Sequence, residues 1–224
     1  MRIFLQNARL IDPLSHLDEE GDLLIDHGRI AAIGRGPVAK DAEVVDCTGL
    51  VLAPGLVDMH VHLRDPGQTE KEDILSGCRA AAAGGVTTLL CMPNTRPTID
   101  TPETVRYVLD KAAHATAHVC VAGALTMHLG GEQRTDMAAL RDAGVTAFSD
   151  DGRPVTDSRL MADALREAAA LGVPVVSHCE DLPLSAGGKM HEGEVSRDLG
   201  VPGVPAAAED CGTARELALA AAYE

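Results

Sequence analysis

Aromatic residues are nearly absent from this chain. Its 224 residues include no Trp, two Phe and two Tyr, although 46% are hydrophobic. A buried core must therefore be built from Ala, Val, Leu and Ile. No apolar run reaches the roughly 18 residues of a membrane-spanning helix, and the N-terminal residues lack the apolar segment and small-residue cleavage site of a signal peptide. We therefore expect no membrane segment.

Positive charge is also scarce. Lys and Arg number 19 against 34 Asp and Glu, which gives a net charge of −15 at pH 7. Such a chain repels phosphate backbones, so nucleic-acid binding is disfavoured. The six Cys form no Cys-x-x-Cys pair, which indicates scattered reduced thiols rather than a zinc ribbon. These features together predict a cytoplasmic protein.

The pattern of apolar residues divides the chain at Ala53-Pro54-Gly55. Residues 1–53 contain short apolar runs separated by turn signals, which predict a small β module. Residues 54–224 alternate helix-like stretches with nearly continuous apolar runs, as in parallel strands covered on both faces. The five predicted strands are 56–62, 86–92, 118–126, 145–149 and 173–177. The pattern predicts an α/β fold, either a doubly wound sheet or part of a barrel, since a closed barrel needs eight strands and roughly 250 residues.

Capping signals mark the predicted helices. Thr69 and Glu72 have the spacing of a capping box, which predicts that the first helix begins there and ends at Gly84-Gly85. Thr101-Pro102 fits an N-cap followed by Pro at the first helical position. The remaining predicted helices cover 135–143, 157–171 and the residues from about 207 onward.

Two histidines close the first predicted strand of the second region. His60 and His62 are two residues apart, so their imidazoles point to the same face of a strand. The carboxyl ends of strands form the active-site face of α/β barrels, and neutral imidazole is a good zinc ligand. The pair indicates a metal site, the alternative being two histidines that merely end a strand.

Further candidate ligands end the fourth and fifth predicted strands. Asp150 and Asp151 follow the fourth strand, where such a pair can bind metal, cap a helix or form a solvated turn. His178 follows the fifth strand, as a ligand or as a hydrogen-bonded core histidine. In a barrel these strand ends surround one pocket. Their convergence predicts a metal centre that combines the His60/His62 pair with His178 and one of the two aspartates.

Two polar residues near these strand ends are candidates for binding an anion. Arg64 lies just past the histidine pair, where Pro66-Gly67 suits the centre of a type II turn, and Asn94 follows the second strand. A guanidinium offers a bidentate fork to a carboxylate. Arg64 and Asn94 would bind an anionic substrate, the alternatives being a surface Arg and a turn Asn. The other histidines are interpreted as structural or surface residues: His16, His27, His114, His118, His128 and His191.

Four motifs resemble those of dihydroorotase, a cyclic amidohydrolase. They are DMHVHLRDPG (58–67), GGVTT (84–88) with MPNT (92–95), FSDDG (148–152) and SHCED (177–181). The first is the most specific, because allantoinases and hydantoinases usually differ after the His-x-His pair. The resemblance spans nearly the whole chain. It implies a (β/α)8 TIM barrel of the amidohydrolase type with about five of eight units in residues 54–224, and residues 1–53 as the N-terminal part of a composite β-sandwich module.

The resemblance implies zinc-dependent, reversible cyclisation of N-carbamoyl-L-aspartate to L-dihydroorotate in pyrimidine biosynthesis. It implies a pair of Zn²⁺ ions, with His60 and His62 on one ion and His178 on the other. Many relatives bridge the metals with a carboxylated Lys, but none of the lysines, at 40, 71, 111 and 189, ends a predicted strand. The bridge is therefore expected to be an Asp, and the resemblance selects Asp151. The implied substrate ligands are His62, Arg64 and Asn94.

The resemblance also implies residues outside this sequence. Family members are considerably longer, with a further His ligand on the sixth strand and an Asp general acid/base on the eighth. We therefore expect the catalytic acid/base beyond residue 224 and a truncated chain that is inactive alone. Two alternatives stay open: an allantoinase- or hydantoinase-like hydrolase, and a non-catalytic dihydroorotase-like subunit of an aspartate transcarbamoylase complex. A homodimer is the other assembly considered.

Overall fold

The computed structural model describes residues 1–36 and 40–223. The chain falls into two compact units, Met1–Gly55 and Leu56–Glu224. The division lies at the Pro54-Gly55 pair, where short strands and turns give way to strand–helix repeats.

The first unit is a five-stranded sheet. Its strands are β1 (Arg2–Asp12), β2 (Leu17–Asp26), β3 (Arg29–Ile33), β4 (Glu43–Asp46) and β5 (Val51–Leu52). Their order is β3-β2-β1-β4, with β5 also paired to β1. Strand β1 is antiparallel to β2 and parallel to β4 and β5, and a small core contains Ala8, Leu10 and Cys47. The β-sandwich stays a prediction, because the described residues of this unit form one sheet.

The second unit alternates strands with helices. Its parallel sheet has the order β6-β7-β8-β9, with β6 (Leu56–Val61), β7 (Val86–Cys91), β8 (His118–Gly123) and β9 (Val145–Phe148). The helices that follow them are α1 (Ile74–Ala83), α2 (Pro102–Ala112), α3 (Met137–Ala143) and α4 (Ser158–Ala170). The predicted α/β class with a parallel sheet is confirmed, and the closed (β/α)8 barrel stays a prediction.

Shorter elements follow α4. They are α5 (Leu182–Ser185), β10 (Met190–His191), α6 (Glu194–Asp198) and β11 (Gly203–Val204), before the longer α7 (Ala207–Tyr223). Strands β10 and β11 pair in parallel, and α7 packs against α4. Within the described ranges, no helix has both the length and the apolar character needed to cross a membrane.

The prediction of a fifth strand over 173–177 is wrong. Val175 forms one isolated parallel bridge with Phe148 of β9. The Phe148 N–H donates to the carbonyl of Pro174 at 3.0 Å, and the Val176 N–H donates to the carbonyl of Phe148 at 2.8 Å. Pro174 has no N–H with which to extend the ladder. The segment nevertheless runs alongside β9, as a fifth strand would.

The sheet is buried on both faces at β7 but not at β6. Leu89 and Cys91 join the large core between sheet and helices, whereas Leu90 and Met92 belong to a second cluster, as the alternation of side chains along a strand requires. Strand β6 leaves Leu56, Val57 and Met59 more than half exposed. Among the residues described, β6 pairs on one side only, with β7.

Two predicted helix starts have different outcomes. The start of α2 at Thr101 is confirmed, because the Thr101 hydroxyl accepts a hydrogen bond from the Thr104 N–H. The start of α1 at Thr69 is wrong, because its N-cap is Asp73, whose carboxylate accepts from the N–H groups of Leu75 and Ser76. Residues 68–71 instead form a turn. Asp is as good an N-cap as Thr, and Ser76 completes the reciprocal bond that Glu72 was expected to make.

Candidate metal centre

The imidazoles of His60 and His62 lie together at the carboxyl end of β6. Their ring centroids are 5.2 Å apart, with an angle of 72° between the ring planes. The two-residue spacing places both rings on one side of the strand, as expected from the sequence. Their side chains are partly exposed, so their nitrogen atoms are accessible to a ligand.

The carboxylate of Asp151 lies against both rings. Its Oδ1 is 3.2 Å from Nε2 of His60, and its Oδ2 is 3.6 Å from Nε2 of His62. The Asp151 side chain is only 6% exposed, which reduces the solvation of its charge. These three residues offer ligand atoms that all lie within 4.8 Å of one another.

His178 approaches the same carboxylate from the segment beside β9. Its Nδ1 is 3.6 Å from Oδ1 of Asp151, and its Nε2 is 2.9 Å from Oε2 of Glu180. Hydrogen bonds from Ser185 and His178 lower the pKa of Glu180. A carboxylate on one ring nitrogen fixes the orientation of an imidazole and leaves the other nitrogen free for a metal. Glu180 therefore directs Nδ1 of His178 towards Asp151.

Asn94, in the loop after β7, links His62 to Asp151. Its Nδ2 donates to Oδ2 of Asp151 at 2.9 Å, and its Oδ1 lies 3.0 Å from Nδ1 of His62. A carboxylate only accepts hydrogen bonds, which orients the amide so that its oxygen accepts the proton on Nδ1 of His62. The lone pair of Nε2 then faces Asp151. Asn94 lies at the expected face, and Asp151 is the one acceptor that its Nδ2 contacts among the described residues.

Asp150 contacts the loop after β8 rather than the imidazoles. Its Oδ1 accepts from the N–H groups of Leu125 at 2.7 Å and Thr126 at 3.0 Å, and its Oδ2 accepts from the Thr126 hydroxyl. Burial raises the pKa of Asp150, and these hydrogen bonds oppose the shift. Of the two aspartates that the residue pattern left open, Asp151 is the one beside the histidines.

Arg64 lies in the turn after β6. The type II turn stays a prediction: Gly67 has a φ of +85°, as its third position requires, while the Gln68 N–H donates to the carbonyl of Arg64 at 2.9 Å rather than to that of Asp65. The Asp65–Pro66 peptide bond is cis. Among the described residues, none forms an ion pair or hydrogen bond with the half-buried Arg64 guanidinium, so it is free to bind an anion.

The lysines have other environments. Lys111 pairs with Asp65, Lys71 lies 3.4 Å from Oε1 of Gln68, and Lys40 is exposed in the first unit. Lys189 precedes β10 and lines a cavity of about 750 Å³ beside His60 and His178. His191 lines the same cavity. No lysine ends a strand in the part of the chain that the structure describes, which keeps Asp151 as the candidate for a bridging ligand.

The donor set fits a metal ion such as zinc. Zinc binds imidazole nitrogen and carboxylate oxygen at about 2.0–2.2 Å, which places two ligands of a tetrahedral ion about 3.3–3.6 Å apart. The distances from Asp151 oxygens to ring nitrogens of His60, His62 and His178 are 3.2, 3.6 and 3.6 Å. Asp151 is thus within ligand spacing of all three rings, and His60, His62 and Asp151 form the group whose ligand atoms all lie within 4.8 Å of one another.

Two residues at this face were not singled out from the sequence. Glu180 follows His178 by two residues, but residues 178–180 lie in no predicted or observed strand, so the two-residue rule did not indicate that their side chains would meet. Asp65 binds Tyr107 and Lys111, which follow it by 42 and 46 residues. The residue pattern carries no signal for contacts across that distance, because they exist only once α2 has packed beside the turn.

Comparison with known proteins assigns the family. A family model described as dihydro-orotase-like matches residues 49–223. Relatives named dihydroorotase from Geobacter metallireducens and Pelobacter propionicus are 47% and 49% identical over 222 residues, which is 98% of this chain and 52% of each relative. The chain thus spans about half the length of the curated relatives it matches.

Solved structures with a similar fold are hydantoinases. An L-hydantoinase (dihydropyrimidinase) from Arthrobacter aurescens matches with a TM-score of 0.79 and 24% identity over 99% of this chain and 51% of that protein. A D-hydantoinase matches with a TM-score of 0.76 and 25% identity over the whole chain and 50% of that protein. The fold is therefore that of these amidohydrolases, and the family match shows that the chain belongs to the dihydroorotase-like family.

Proposed function

We propose that this chain provides the metal ligands and the carboxylate-binding arginine of a zinc-dependent dihydroorotase. The reaction is the reversible cyclisation of N-carbamoyl-L-aspartate to L-dihydroorotate, in pyrimidine biosynthesis. The observation that carries the proposal is the buried Asp151 carboxylate with three imidazoles within 3.6 Å of its oxygens. The substrate is inferred from the relatives named dihydroorotase, which match nearly the whole chain.

The proposed architecture places this site at the mouth of a barrel. Residues 1–53 would form the N-terminal part of a composite β module, and residues 54–224 the first part of a (β/α)8 hydrolase barrel. The parallel order β6-β7-β8-β9 supports this arrangement, because consecutive strands of such a barrel are neighbours. The segment beside β9 that ends in His178 would occupy the fifth position.

The proposed metals are a pair of zinc ions. His60 and His62 would hold one ion, His178 the other, and Asp151 both, since its Oδ1 faces His60 as well as His178. When bound, zinc lowers the pKa of water and polarises the amide carbonyl of the ring. The chain itself fixes the ligands: Asn94 holds His62 and Asp151, and Glu180 holds His178.

The substrate would be oriented by its carboxylate. Arg64 has a guanidinium without a protein partner among the described residues, and Asn94 retains one amide hydrogen. Asn94 contacts His62, and Arg64 follows His62 by two residues, so an anion held by both would leave the ring amide near the ligand histidines. Such positioning removes much of the entropy that a reaction between separate molecules must lose. The general acid/base is not assigned to any residue of this chain.

Kinetics with matched substrates test the proposal. The zinc-loaded full-length protein should hydrolyse L-dihydroorotate, and Arg64→Ala should raise its KM about 100-fold, since loss of one partner from a desolvated charge pair costs about 2–5 kcal/mol. Dihydrouracil, which lacks the carboxylate, should be a poor substrate whose turnover Arg64→Ala leaves unchanged. Arg106→Ala, at an exposed position of α2, is the control and should leave both substrates unaffected.

The second candidate is a hydantoinase- or allantoinase-like hydrolase, which the structural match to hydantoinases favours. It predicts turnover of hydantoin or allantoin and no effect of Arg64→Ala on dihydroorotate. A third possibility is a non-catalytic subunit bound to aspartate transcarbamoylase, which predicts a stable complex and no zinc. The presence of all four candidate ligands argues for the enzyme. Sedimentation with and without aspartate transcarbamoylase separates a homodimer from such a complex.

A further inference from the structure

We propose that Asp65 is a positioning residue that fixes the Arg64 turn, through an ion pair between its buried carboxylate and Lys111 and a hydrogen bond from Tyr107. The inference rests on the proposed function, because it assigns Asp65 a role through the arginine that would bind the substrate carboxylate. None of the three residues is a candidate metal ligand.

The carboxylate of Asp65 is held on both oxygens. Its Oδ1 accepts from the Tyr107 hydroxyl at 2.9 Å, and its Oδ2 accepts from Nζ of Lys111 at 2.6 Å. The Asp65 side chain is fully buried, whereas that of Lys111 is 36% exposed. Tyr107 and Lys111 are four residues apart on α2, so one helix face presents both donors. Their own hydroxyl and ammonium groups lie 3.3 Å apart.

A buried carboxylate is destabilising unless it is paired, so these contacts hold Asp65 in one place. The hydrogen bond that Lys111 donates to Asp65 raises the pKa of Lys111. A lysine whose folded pKa is raised stays charged, and its stabilising contribution is complete below the ordinary value of about 10.4. Lys111 is therefore charged throughout the neutral pH range.

The turn is also held on its other side. The Arg96 N–H, in the loop after β7, donates to the carbonyl of Pro66 at 3.0 Å. Gly67 has a φ of +85°, and a Cβ at this position would lie 1.7 Å from the carbonyl oxygen of Arg96. Only glycine allows this approach. The turn is thus fixed between α2 and the loop that carries Asn94.

Arg64 itself shows the consequence of this support. Its φ is +59°, in the left-handed region that few residues other than glycine adopt. Such a conformation persists when surrounding contacts determine it. With the backbone already fixed, binding of a carboxylate by Arg64 does not have to order the turn as well. Asp65 would therefore act on substrate affinity rather than on the chemical step.

The experiment uses Asp65→Asn, Lys111→Met and Tyr107→Phe in the zinc-loaded full-length protein. The matched control is Asp110→Asn, an exposed acid on the same helix. Asp65→Asn and Lys111→Met should raise the KM for dihydroorotate about tenfold with kcat changed less than twofold. Tyr107→Phe should raise the KM two- to threefold. Lys111→Arg keeps the positive charge, so its KM should be close to that of the wild type rather than to that of Lys111→Met. The control should match the wild type.

Hydrogen exchange supplies a readout that is independent of activity. The Gln68 amide, which donates to Arg64, should exchange at least tenfold faster in Asp65→Asn and Lys111→Met, with amides of β7 and β8 unchanged. If Asp65→Asn does not fold, Lys111→Met and Tyr107→Phe still test whether the contacts of Asp65 fix the turn. An unchanged Gln68 exchange rate in folded Lys111→Met would overturn this role of Asp65.

A double-mutant cycle separates this proposal from the proposed function. If Asp65 acts through Arg64, Asp65→Asn should raise the KM no further in an Arg64→Ala background. An equal rise in both backgrounds, or a fall in kcat with constant KM, would overturn the positioning role. Absence of dihydroorotate turnover in the wild type would instead overturn the proposed function, and hydrogen exchange would still decide whether Asp65 fixes the turn.

Discussion

Oδ1 of Asp151 lies 3.2 Å from Nε2 of His60, although the two residues end strands at opposite sides of the four-stranded sheet. A flat sheet would keep β6 and β9 apart by about three strand spacings, each near 4.8 Å. The gap is spanned by the imidazole of His60 and by the residues after β9, since Asp151 lies three residues beyond Phe148, where β9 ends. The candidate metal centre therefore depends on the path of the chain after β9 as well as on the His-x-His pair.

The contact between His178 and Glu180 should control metal affinity. Glu180→Gln replaces the carboxylate on Nε2 of His178 with an amide, which weakens the orientation of the ring. We expect zinc affinity to fall about 10- to 100-fold, as is typical when the hydrogen-bond partner of a ligand histidine is removed. Competition with a chromogenic chelator measures this change.

Glu209→Gln is the matched control for that variant, because Glu209 is an exposed glutamate lining the same cavity. It should bind zinc as the wild type does. Equal losses in the two variants would show that the charge of the cavity matters, and not the contact with His178.

Asp150 should matter for stability rather than for metal binding. Asp150→Ala leaves two buried N–H groups, those of Leu125 and Thr126, without their acceptor, which we expect to lower the free energy of unfolding by about 3 kcal/mol. Asp150→Asn keeps an acceptor oxygen and should lose about 1 kcal/mol. Urea denaturation at pH 7 measures both. Similar losses in the two variants would rule out the acceptor role.

The buried thiol of Cys91 should make the folded protein less stable at alkaline pH. Burial raises the pKa of its thiol to about 12. Between the ordinary pKa, about 8.5, and the raised one, the thiol ionises in the unfolded chain but not in the folded chain, so stability falls as pH rises. The stability difference between wild type and Cys91→Ala should therefore shrink by about 1.6 kcal/mol from pH 8.5 to pH 10.

Denaturant unfolding at the two pH values measures that difference. Cys211→Ala, at an exposed cysteine of α7, is the control and should leave the pH dependence unchanged. A constant difference between wild type and Cys91→Ala would mean that the Cys91 thiol is not protected from ionisation by burial.

The sequence predicted the features that depend on neighbouring residues. The two-residue spacing of His60 and His62 indicated one shared face, and Thr101-Pro102 correctly predicted the start of α2. The errors also have local causes. Asp73 and Thr69 are both good N-caps, and propensity alone does not choose between them. Pro174 removed a donor from a segment whose apolar residues otherwise read as a strand.

Features that depend on distant contacts were not available from the sequence. Residue types alone could not choose between Asp150 and Asp151; the choice follows from the N–H groups of Leu125 and Thr126, which occupy Asp150. The exposure of β6 could not be read from its apolar residues, because burial depends on which elements cover a strand. The contacts of Asp65 with Tyr107 and Lys111 likewise depend on how α2 packs.

Zinc binding by Asp151 variants tests the central claim most directly. The full-length protein is stripped of metal, titrated with zinc and analysed by atomic emission, beside Asp151→Ala and its neighbour control Asp150→Asn. The account predicts close to two zinc ions per wild-type chain and per Asp150→Asn chain, and less than one for Asp151→Ala. A wild-type zinc content near zero, or an unchanged content in Asp151→Ala, would contradict it.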